Sequence, residues 1–183
     1  MTSSLTFFIA GAIQGSRPGI VGIDQGYRER LLQSIHSFFP EATVLCPLTV
    51  LKERFADRLE QATSVYQSET ASEFLDARRY GGTVAEIRAA FCEITALAAQ
   101  ADVLIAFLPN HEASMGTAME MWSAYTHGRV VIAITSMTRN LSIIATSNII
   151  LPSIASFEAF MQDGGLRELL ETENMRIREP QSD

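Results

Sequence analysis

The sequence predicts a single α/β domain built around a parallel sheet of about five strands, with helices on both faces. Short apolar runs rich in β-branched residues alternate along the chain with segments of helical periodicity. One run, DVLIAFLP (102–109), is apolar almost throughout, as expected of a strand that is buried on both sides in a parallel sheet. A chain of 183 residues, of which 47% are hydrophobic, is large enough for one domain with its own core.

Five predicted strands alternate with four predicted helices. The strands cover 5–11, 42–47, 102–109, 130–135 and 147–152, and the helices cover about 24–39, 83–100, 114–127 and 154–170. Residues 49–82 form a charged insertion, predicted to hold one or two helices that either cover a site or lie at the periphery. The domain then spans residues 1–170, and the polar residues 171–183 are predicted to form a flexible tail.

The composition limits the possible partners. A formal net charge of -7 argues against long nucleic acids, which bind to basic surfaces, but leaves room for a single nucleotide. The only cysteines, Cys46 and Cys92, show no disulfide or metal-ligand spacing, so we expect a cytoplasmic protein without a metal or another cofactor. The first apolar run is too short to span a membrane, and we expect no membrane partner.

Two loops are expected to meet at one edge of the predicted sheet. Right-handed crossovers place the loops that follow parallel strands along the carboxyl edge, where ligands bind in such folds. The first loop (11–19) is rich in glycine, which allows a ligand to approach the backbone closely. Its glycine spacing matches neither a dinucleotide fingerprint nor a Walker loop, so an ordinary glycine-rich turn is the alternative. The second loop (109–117) follows the third strand.

The second loop leads into EASMGTAMEMW (112–122), which places Glu120 about one turn inside a helix. Ser114 or Thr117 can cap this helix, and the free N–H groups at its start can bind an anion. Glu120 shares a small, polar helix face with Gly116 and Thr117. The opposite face is predicted to be packed, and its bulky residues are Met115, Met119, Trp122 and Tyr125. Glu120 is then either a nucleophile in a narrow recess or a surface carboxylate that favours the helix N-terminus.

Two motifs carry a family resemblance. FIAGAIQGSR (8–17), with YRERLLQSI (27–35) behind it, is similar to a pattern of strand, GSIRGG-type loop and tyrosine-led helix. ADVLIAFLP (101–109), followed by SMGTAME (114–120), is similar to an S-x-G-x-x-x-E motif that follows a strand. On these motifs the chain resembles the nucleoside 2-deoxyribosyltransferase superfamily, and in particular its nucleoside 5′-monophosphate N-glycosidases.

The resemblance implies a Rossmann-like or flavodoxin-like domain, and a homodimer or larger homo-oligomer with active sites near the subunit contacts. It also implies cleavage of the bond between a nucleobase and a ribose or deoxyribose, with Glu120 as the catalytic glutamate. The family's second acidic residue would fall at Ile94, and the adjacent Glu93 is the predicted substitute. Hydrolysis would release the free base, and transfer of the sugar to a second base is the alternative reaction.

The resemblance also implies which residues contact the substrate. Ser114 and Gly116 correspond to positions that hold the 5′ end of the substrate, and Asn110 and His111 could line the base pocket. The other predicted substrate-binding residues are Gly11, Ala12, Ile13, Gln14, Gly15, Arg17, Tyr27 and Thr117.

The first loop departs from the family pattern at two positions. Ala12 and Gln14 replace the serine and arginine that usually bind the phosphate, and Arg17 could replace the lost charge. On the helix behind the loop, Arg28 and Arg30 are interpreted as a solvated face.

Two further functions stay open beside the glycosidase. One is a non-catalytic nucleotide sensor, and the other is an N-glycosidase that acts on a larger nucleotide such as NAD. The candidates for protonating the leaving base are Glu93, Asp102 and His111, although Asp102 is rather expected to cap its strand. Trp122 is interpreted as a core residue or as a contact between copies of the chain.

Overall fold

The computed structural model describes residues 4–13, 24–55, 78 and 81–178. The strands are β1 (Thr6–Gly11), β2 (Thr43–Leu45), β3 (Val103–Leu108), β4 (Val130–Thr135) and β5 (Ile149–Leu151). The helices of this described part are α1 (Gly26–Phe38), α2 (Pro47–Phe55), α3 (Gly81–Gln100), α4 (Met115–Thr126), α5 (Leu141–Thr146), α6 (Ile154–Gln162) and α7 (Gly165–Arg178).

The five strands form one parallel sheet in the order β2-β1-β3-β4-β5. In the middle of the sheet, Ile9 of β1 pairs with Ile105 of β3, which pairs in turn with Ile132 of β4. This is the flavodoxin-like order of doubly wound α/β folds. The predicted α/β class and the five-stranded parallel sheet are confirmed.

Two hydrophobic clusters lie on opposite faces of the sheet, because successive strand residues point in opposite directions. Phe7 and Ile9 belong to the cluster that α1, α6 and α7 cover, whereas Phe8 and Ala10 belong to the cluster that α2, α3, α4 and α5 cover. Helices therefore lie on both faces, as predicted. Within the described residues, no helix combines the length and the apolar character needed to cross a membrane.

The C-terminal part differs from the predicted pattern. The helix α5, which is only six residues long, was not predicted; Asn140 caps it by accepting hydrogen bonds from two N–H groups of its first turn. The single helix expected at 154–170 is instead two helices, because the backbone turns at Gly164 with a positive φ of 79°. Since α7 continues to Arg178, residues 171–178 of the predicted tail are helical.

The charged insertion predicted at 49–82 is described mainly at its two ends. Residues 49–55 belong to α2, which begins at Pro47, a residue that suits the first turn of a helix. Residues 81 and 82 belong to α3. Most of the insertion lies outside the described residues, and so does the predicted cover over a site.

Candidate active site

Helix α4 packs against β1, β3 and β4, and it begins just after the carboxyl end of β3. Ser114 is its N-cap: the hydroxyl oxygen accepts hydrogen bonds from the N–H (3.3 Å) and the hydroxyl (2.9 Å) of Thr117. Of the two predicted caps, Ser114 is therefore the correct one. Thr117 is only 1% exposed and faces the protein interior.

A tight turn connects β3 to this helix. Asn110 and His111 both have positive φ angles (55° and 59°), and the Glu112 N–H donates to the Pro109 carbonyl oxygen at 3.0 Å. These features define a type I′ turn. Asparagine and histidine tolerate positive φ better than most residues, and both side chains are exposed at this edge of the sheet. Their role in a base pocket stays a prediction.

The Glu120 side chain points into the protein rather than into solvent. The residue is 6% exposed, and its Oε2 atom makes no hydrogen bond to any described residue. Burial raises the pKa of this carboxyl to about 8, although the positive charge of Arg28 acts to lower it. The interpretation of Glu120 as a surface carboxylate is therefore wrong. A buried carboxyl with an unpaired oxygen destabilises the fold, and such groups are concentrated at functional sites.

A buried arginine lies at the same edge of the sheet. Arg28 and Glu120 are the only charged residues that are buried in the part of the chain that the structure describes. The Arg28 guanidinium donates from Nη1 to the Ile9 carbonyl oxygen (2.6 Å) and from Nη2 to the Gly11 carbonyl oxygen (3.0 Å). Arg28 therefore holds the carboxyl end of β1 through two of its backbone carbonyl oxygens.

The interpretation of Arg28 as a solvated residue is thus wrong, although that of Arg30 is correct. Arg30 is exposed and forms an ion pair with Glu158 of α6 at 2.8 Å. The sequence did contain a signal for the difference. Arg28 keeps the helical spacing of the buried residues Leu31 and Ile35, three and seven positions further on, whereas Arg30 does not.

Tyr27 closes the end of β1 from the side of α1. Its ring packs against Phe107, with ring centres 4.5 Å apart, and its hydroxyl makes no hydrogen bond to a described residue. Burial raises the pKa of this hydroxyl, so it stays protonated at ordinary pH. A Cβ atom on Gly11 would lie 2.3 Å from the Tyr27 hydroxyl oxygen and 3.0 Å from the Phe107 carbonyl oxygen. A residue with a Cβ atom would clash with Tyr27 at this position, which explains the glycine.

The other predicted substrate-binding residues are only partly described. Ala12 is buried, and its carbonyl oxygen accepts a hydrogen bond from the Gln25 side chain at 3.2 Å, while Ile13 is partly buried. A Cβ atom on Gly116 would meet only the Phe91 ring, at 3.8 Å, so alanine fits at this position. The three remaining predicted loop residues, Gln14, Gly15 and Arg17, lie outside the described residues.

The two acidic candidates for a proton donor lie in different places. Glu93 of α3 is partly exposed and forms an ion pair with Arg54 of α2. Asp102 lies at the amino end of β3, where its Oδ2 accepts a hydrogen bond from the Thr6 N–H at 2.8 Å. Asp102 is thus the expected strand cap, one strand length away from the carboxyl edge.

The bulky face of α4 is exposed. The residues with the largest exposed fractions are Met115 (88%), Trp122 (57%), Met119 (49%) and Tyr125 (49%). The prediction that this face is packed within the chain is wrong, and so is the interpretation of Trp122 as a core residue. The apolar surface continues to Phe91 of α3, which is 39% exposed.

Two cavities lie near the ends of the sheet. A cavity of about 160 Å³ lies between the starts of α4 and α5 and is lined by Ser114, Met121 and Met137, among others. A cavity of about 550 Å³ lies beyond the amino end of β5, beside Phe160 and Glu168. Neither is lined by Glu120. No group of three or more potential metal ligands occurs among the described residues.

The fold and the buried carboxyl define a doubly wound α/β protein of flavodoxin-like strand order, with a candidate site at the carboxyl edge. No protein-family model and no curated protein sequence matches the chain. A conserved protein from Enterococcus faecalis V583 is similar in structure, with a TM-score of 0.53 and 16% identity, over 88% of this chain and 99% of that one. A CMP N-glycosidase from Clostridium botulinum aligns with a TM-score of 0.39 and 15% identity, over 88% of this chain and 98% of that one. The first similarity supports the fold alone.

Proposed function

We propose that the protein is an N-glycosidase that cleaves the bond between base and sugar in a (deoxy)ribonucleoside or its 5′-monophosphate, with Glu120 as the nucleophile. The observation that carries the proposal is the buried Glu120 carboxyl, whose Oε2 is unpaired among the described residues. Its place in the S-x-G-x-x-x-E motif adds the resemblance to the nucleoside 2-deoxyribosyltransferase superfamily. A group that is buried without a structural partner needs another reason to be there, and chemistry provides one.

In the proposed reaction, an oxygen of the Glu120 carboxylate attacks C1′ of the sugar while the bond from C1′ to the base nitrogen breaks. The bonding electrons leave with the base, which takes a proton from a general acid or from water. Water then attacks C1′ of the glycosyl ester and gives its proton to the group that protonated the base or to solvent, the bond from C1′ to the carboxylate oxygen breaks, and the free sugar leaves. The positive charge that develops on the sugar is stabilised by the negative carboxylate.

The ionisation of Glu120 gives the proposed reaction a pH dependence. The nucleophile must be ionised, and burial raises the pKa of this carboxyl to about 8. The ionisation of Glu120 alone is therefore expected to make the rate rise with pH up to about 8 and to have no further effect above it. Arg28 opposes the effect of burial and increases the ionised fraction at neutral pH.

Two groups are proposed as proton donors to the leaving base. His111 lies in the exposed turn at the carboxyl edge, one residue after Asn110. Glu93 is expected from the family pattern, but its carboxylate is engaged in an ion pair with Arg54 of α2. We therefore favour His111 and keep Glu93 as the second candidate.

We also infer that the exposed face of α4 joins two copies of the chain. Four large apolar residues on one helix face, next to a fifth on α3, form a larger exposed apolar surface than single scattered residues would. A symmetric contact of this face with itself would bury it. The face belongs to the helix that carries Glu120, so the contact would lie near the active site.

The proposal is tested by incubating the protein at pH 8.5 with ribo- and deoxyribonucleosides, their 5′-monophosphates and NAD, with and without a free acceptor base. Chromatography then measures the released base. We expect release that falls at least about a thousandfold in Glu120→Ala, as for the loss of a nucleophile. The matched control is Glu168→Ala, which changes an exposed glutamate on the opposite face of the sheet.

Each other outcome favours a different function. A new nucleoside that forms only with the acceptor base would identify a transferase. Release from NAD alone would identify the larger substrate. Binding without release by a folded wild-type protein would overturn the enzyme and favour a nucleotide sensor.

A further inference from the structure

The carboxyl end of β1 is held by two polar side chains from the start of α1. Besides its bonds to the Ile9 and Gly11 carbonyl oxygens, Arg28 donates from Nε to Oε1 of Gln25 at 2.8 Å. Gln25 in turn donates from Nε2 to the Ala12 carbonyl oxygen at 3.2 Å. We call these two residues, Gln25 and Arg28, the β1 clamp. The clamp fixes three backbone carbonyls at the point where β1 becomes the first loop.

The same arginine has an electrostatic relation to Glu120. A buried charge is stable only when an opposite charge or several hydrogen bonds compensate it. Arg28 is compensated by carbonyl oxygens and by the Cys46 sulfur (3.4 Å), whereas Oε2 of Glu120 has no described hydrogen-bond partner. The Arg28 charge acts to lower the pKa of the Glu120 carboxyl, and Glu120 acts in turn to raise the pKa of the Tyr27 hydroxyl, also on α1.

We propose that Arg28 is a positioning residue for Glu120: its buried guanidinium fixes the carboxyl end of β1, the strand against which α4 packs with Glu120 on its inner face. The expected effect of Arg28 on catalysis rests on the proposed function of Glu120. The expected effect of Arg28 on the ionisation of the Glu120 carboxyl does not. Arg28 does not touch the reacting atoms in this scheme. It acts through the backbone of β1 and through its charge.

The charge is tested without any substrate. The Glu120 carboxyl is observed by carbon-13 NMR in protein labelled at the glutamate side-chain carboxyl carbon, and its signal is identified by its loss in Glu120→Gln. In Arg28→Gln the titration midpoint is expected to move upward by about one pH unit or more, the usual effect of losing a nearby opposite charge. The matched control is Arg30→Gln, which removes the same charge from the exposed side of the same helix and should leave the midpoint unchanged.

The clamp is tested separately by Arg28→Lys and Gln25→Ala. Both variants keep a positive charge at residue 28 but lose part of the hydrogen-bonded clamp, so the Glu120 midpoint should stay close to that of the wild type. Base release should fall about tenfold or more in kcat/KM, the scale expected when a catalytic group is misplaced slightly. Thermal unfolding of each variant shows whether it is folded under the assay conditions.

The outcomes separate this proposal from the proposed function. An unchanged Glu120 midpoint in folded Arg28→Gln would overturn the electrostatic role, whether or not the protein is a glycosidase. Unchanged base release in both Arg28→Lys and Gln25→Ala would overturn the positioning role while the glycosidase stands. If Arg28→Gln does not fold, Arg28→Met, which keeps an unbranched side chain in the buried site without the charge, takes its place in the same titration. An unchanged Glu120 midpoint in folded Arg28→Met would then overturn the electrostatic role.

Discussion

The two faces of helix α4 differ in a way that is unusual for a helix on a sheet. A surface helix normally buries its apolar side and exposes its polar side. In α4 the inner face includes Thr117 and Glu120, which are 1% and 6% exposed, whereas the outer face exposes Met115 and Trp122. The helix therefore carries a carboxyl where packing alone favours an apolar residue.

Neither face of α4 is arranged for the stability of the isolated chain. The inner face gives up stability, because a buried carboxyl is unfavourable unless it is paired. The outer face exposes apolar surface, which favours association. Neither feature stabilises the isolated chain. The proposed function gives a reason for each: chemistry for the inner face and contact with a second copy for the outer face.

The largest expected effect lies on the inner face. The pKa of Glu120 is raised from 4.5 to about 8 in the folded chain, so the folded state binds more protons between these pH values than the unfolded state. The free energy of unfolding should therefore fall as pH rises from about 4.5 to 8, by on the order of a few kcal/mol. Below pH 4.5 the carboxyl is protonated in both states, and the effect disappears.

The comparison with Glu120→Gln isolates this effect. The amide of this variant does not ionise. In urea unfolding, the free energy of unfolding of the variant relative to the wild type should therefore rise by on the order of a few kcal/mol from pH 5 to pH 8.5. The control, Glu168→Gln, should follow the wild type. Equal pH profiles for Glu120→Gln and the wild type would mean that the carboxyl is not buried as described.

The second largest effect on stability is expected at the end of β1, where Gly11 lies close to the Tyr27 hydroxyl. Gly11→Ala places a Cβ atom 2.3 Å from the Tyr27 hydroxyl oxygen, and we expect a loss of about 1–3 kcal/mol in the free energy of unfolding. Adding Tyr27→Phe should restore part of the loss, because it removes the nearest atom. The matched control is Gly116→Ala, whose Cβ meets only Phe91 at 3.8 Å and should leave stability unchanged or raise it by up to about 1 kcal/mol.

The smallest effect on the stability of the single chain is expected on the outer face. Replacing Met119 and Trp122 together by serine removes two side chains that are about half exposed, so the free energy of unfolding of the monomer should fall by no more than about 1 kcal/mol. Analytical ultracentrifugation should nevertheless show a homodimer for the wild type and a monomer for the variant at the same concentration. A wild type that is monomeric at high micromolar concentration would contradict the contact between copies.

Much of the fold was predictable because it depends on patterns that are local in the sequence. The apolar runs of β1, β3 and β4 put apolar side chains on both faces of a parallel sheet. The helices between these runs provide the crossover connections that parallel strands need. The short helix α5 was missed because six residues are too few to show a helical period. The division between α6 and α7 depends on one glycine at positive φ, which an apolar pattern does not reveal.

The candidate site was predictable only in part. Ser114, Gly116 and Glu120 were identified from their motif and from the position of that motif after a buried strand. Arg28 was missed although it is in phase with Leu31 and Ile35, because a charged residue on a helix was assigned to solvent by its type rather than by its phase. The hydrogen bonds that hold it connect residues 17 and 19 positions apart, and no local pattern contains them.

The sequence by itself determined the alternation of strands and helices, the parallel sheet that they form, and the segment that carries Glu120. These follow from periodicity and from the handedness of crossovers, which act over short stretches of chain. Only the tertiary structure decided that Glu120 points inward, that Arg28 is buried beneath β1 and that Trp122 faces outward. Which face of an element is buried depends on what the rest of the chain packs against it, and Arg28 is held in place by hydrogen bonds between distant segments.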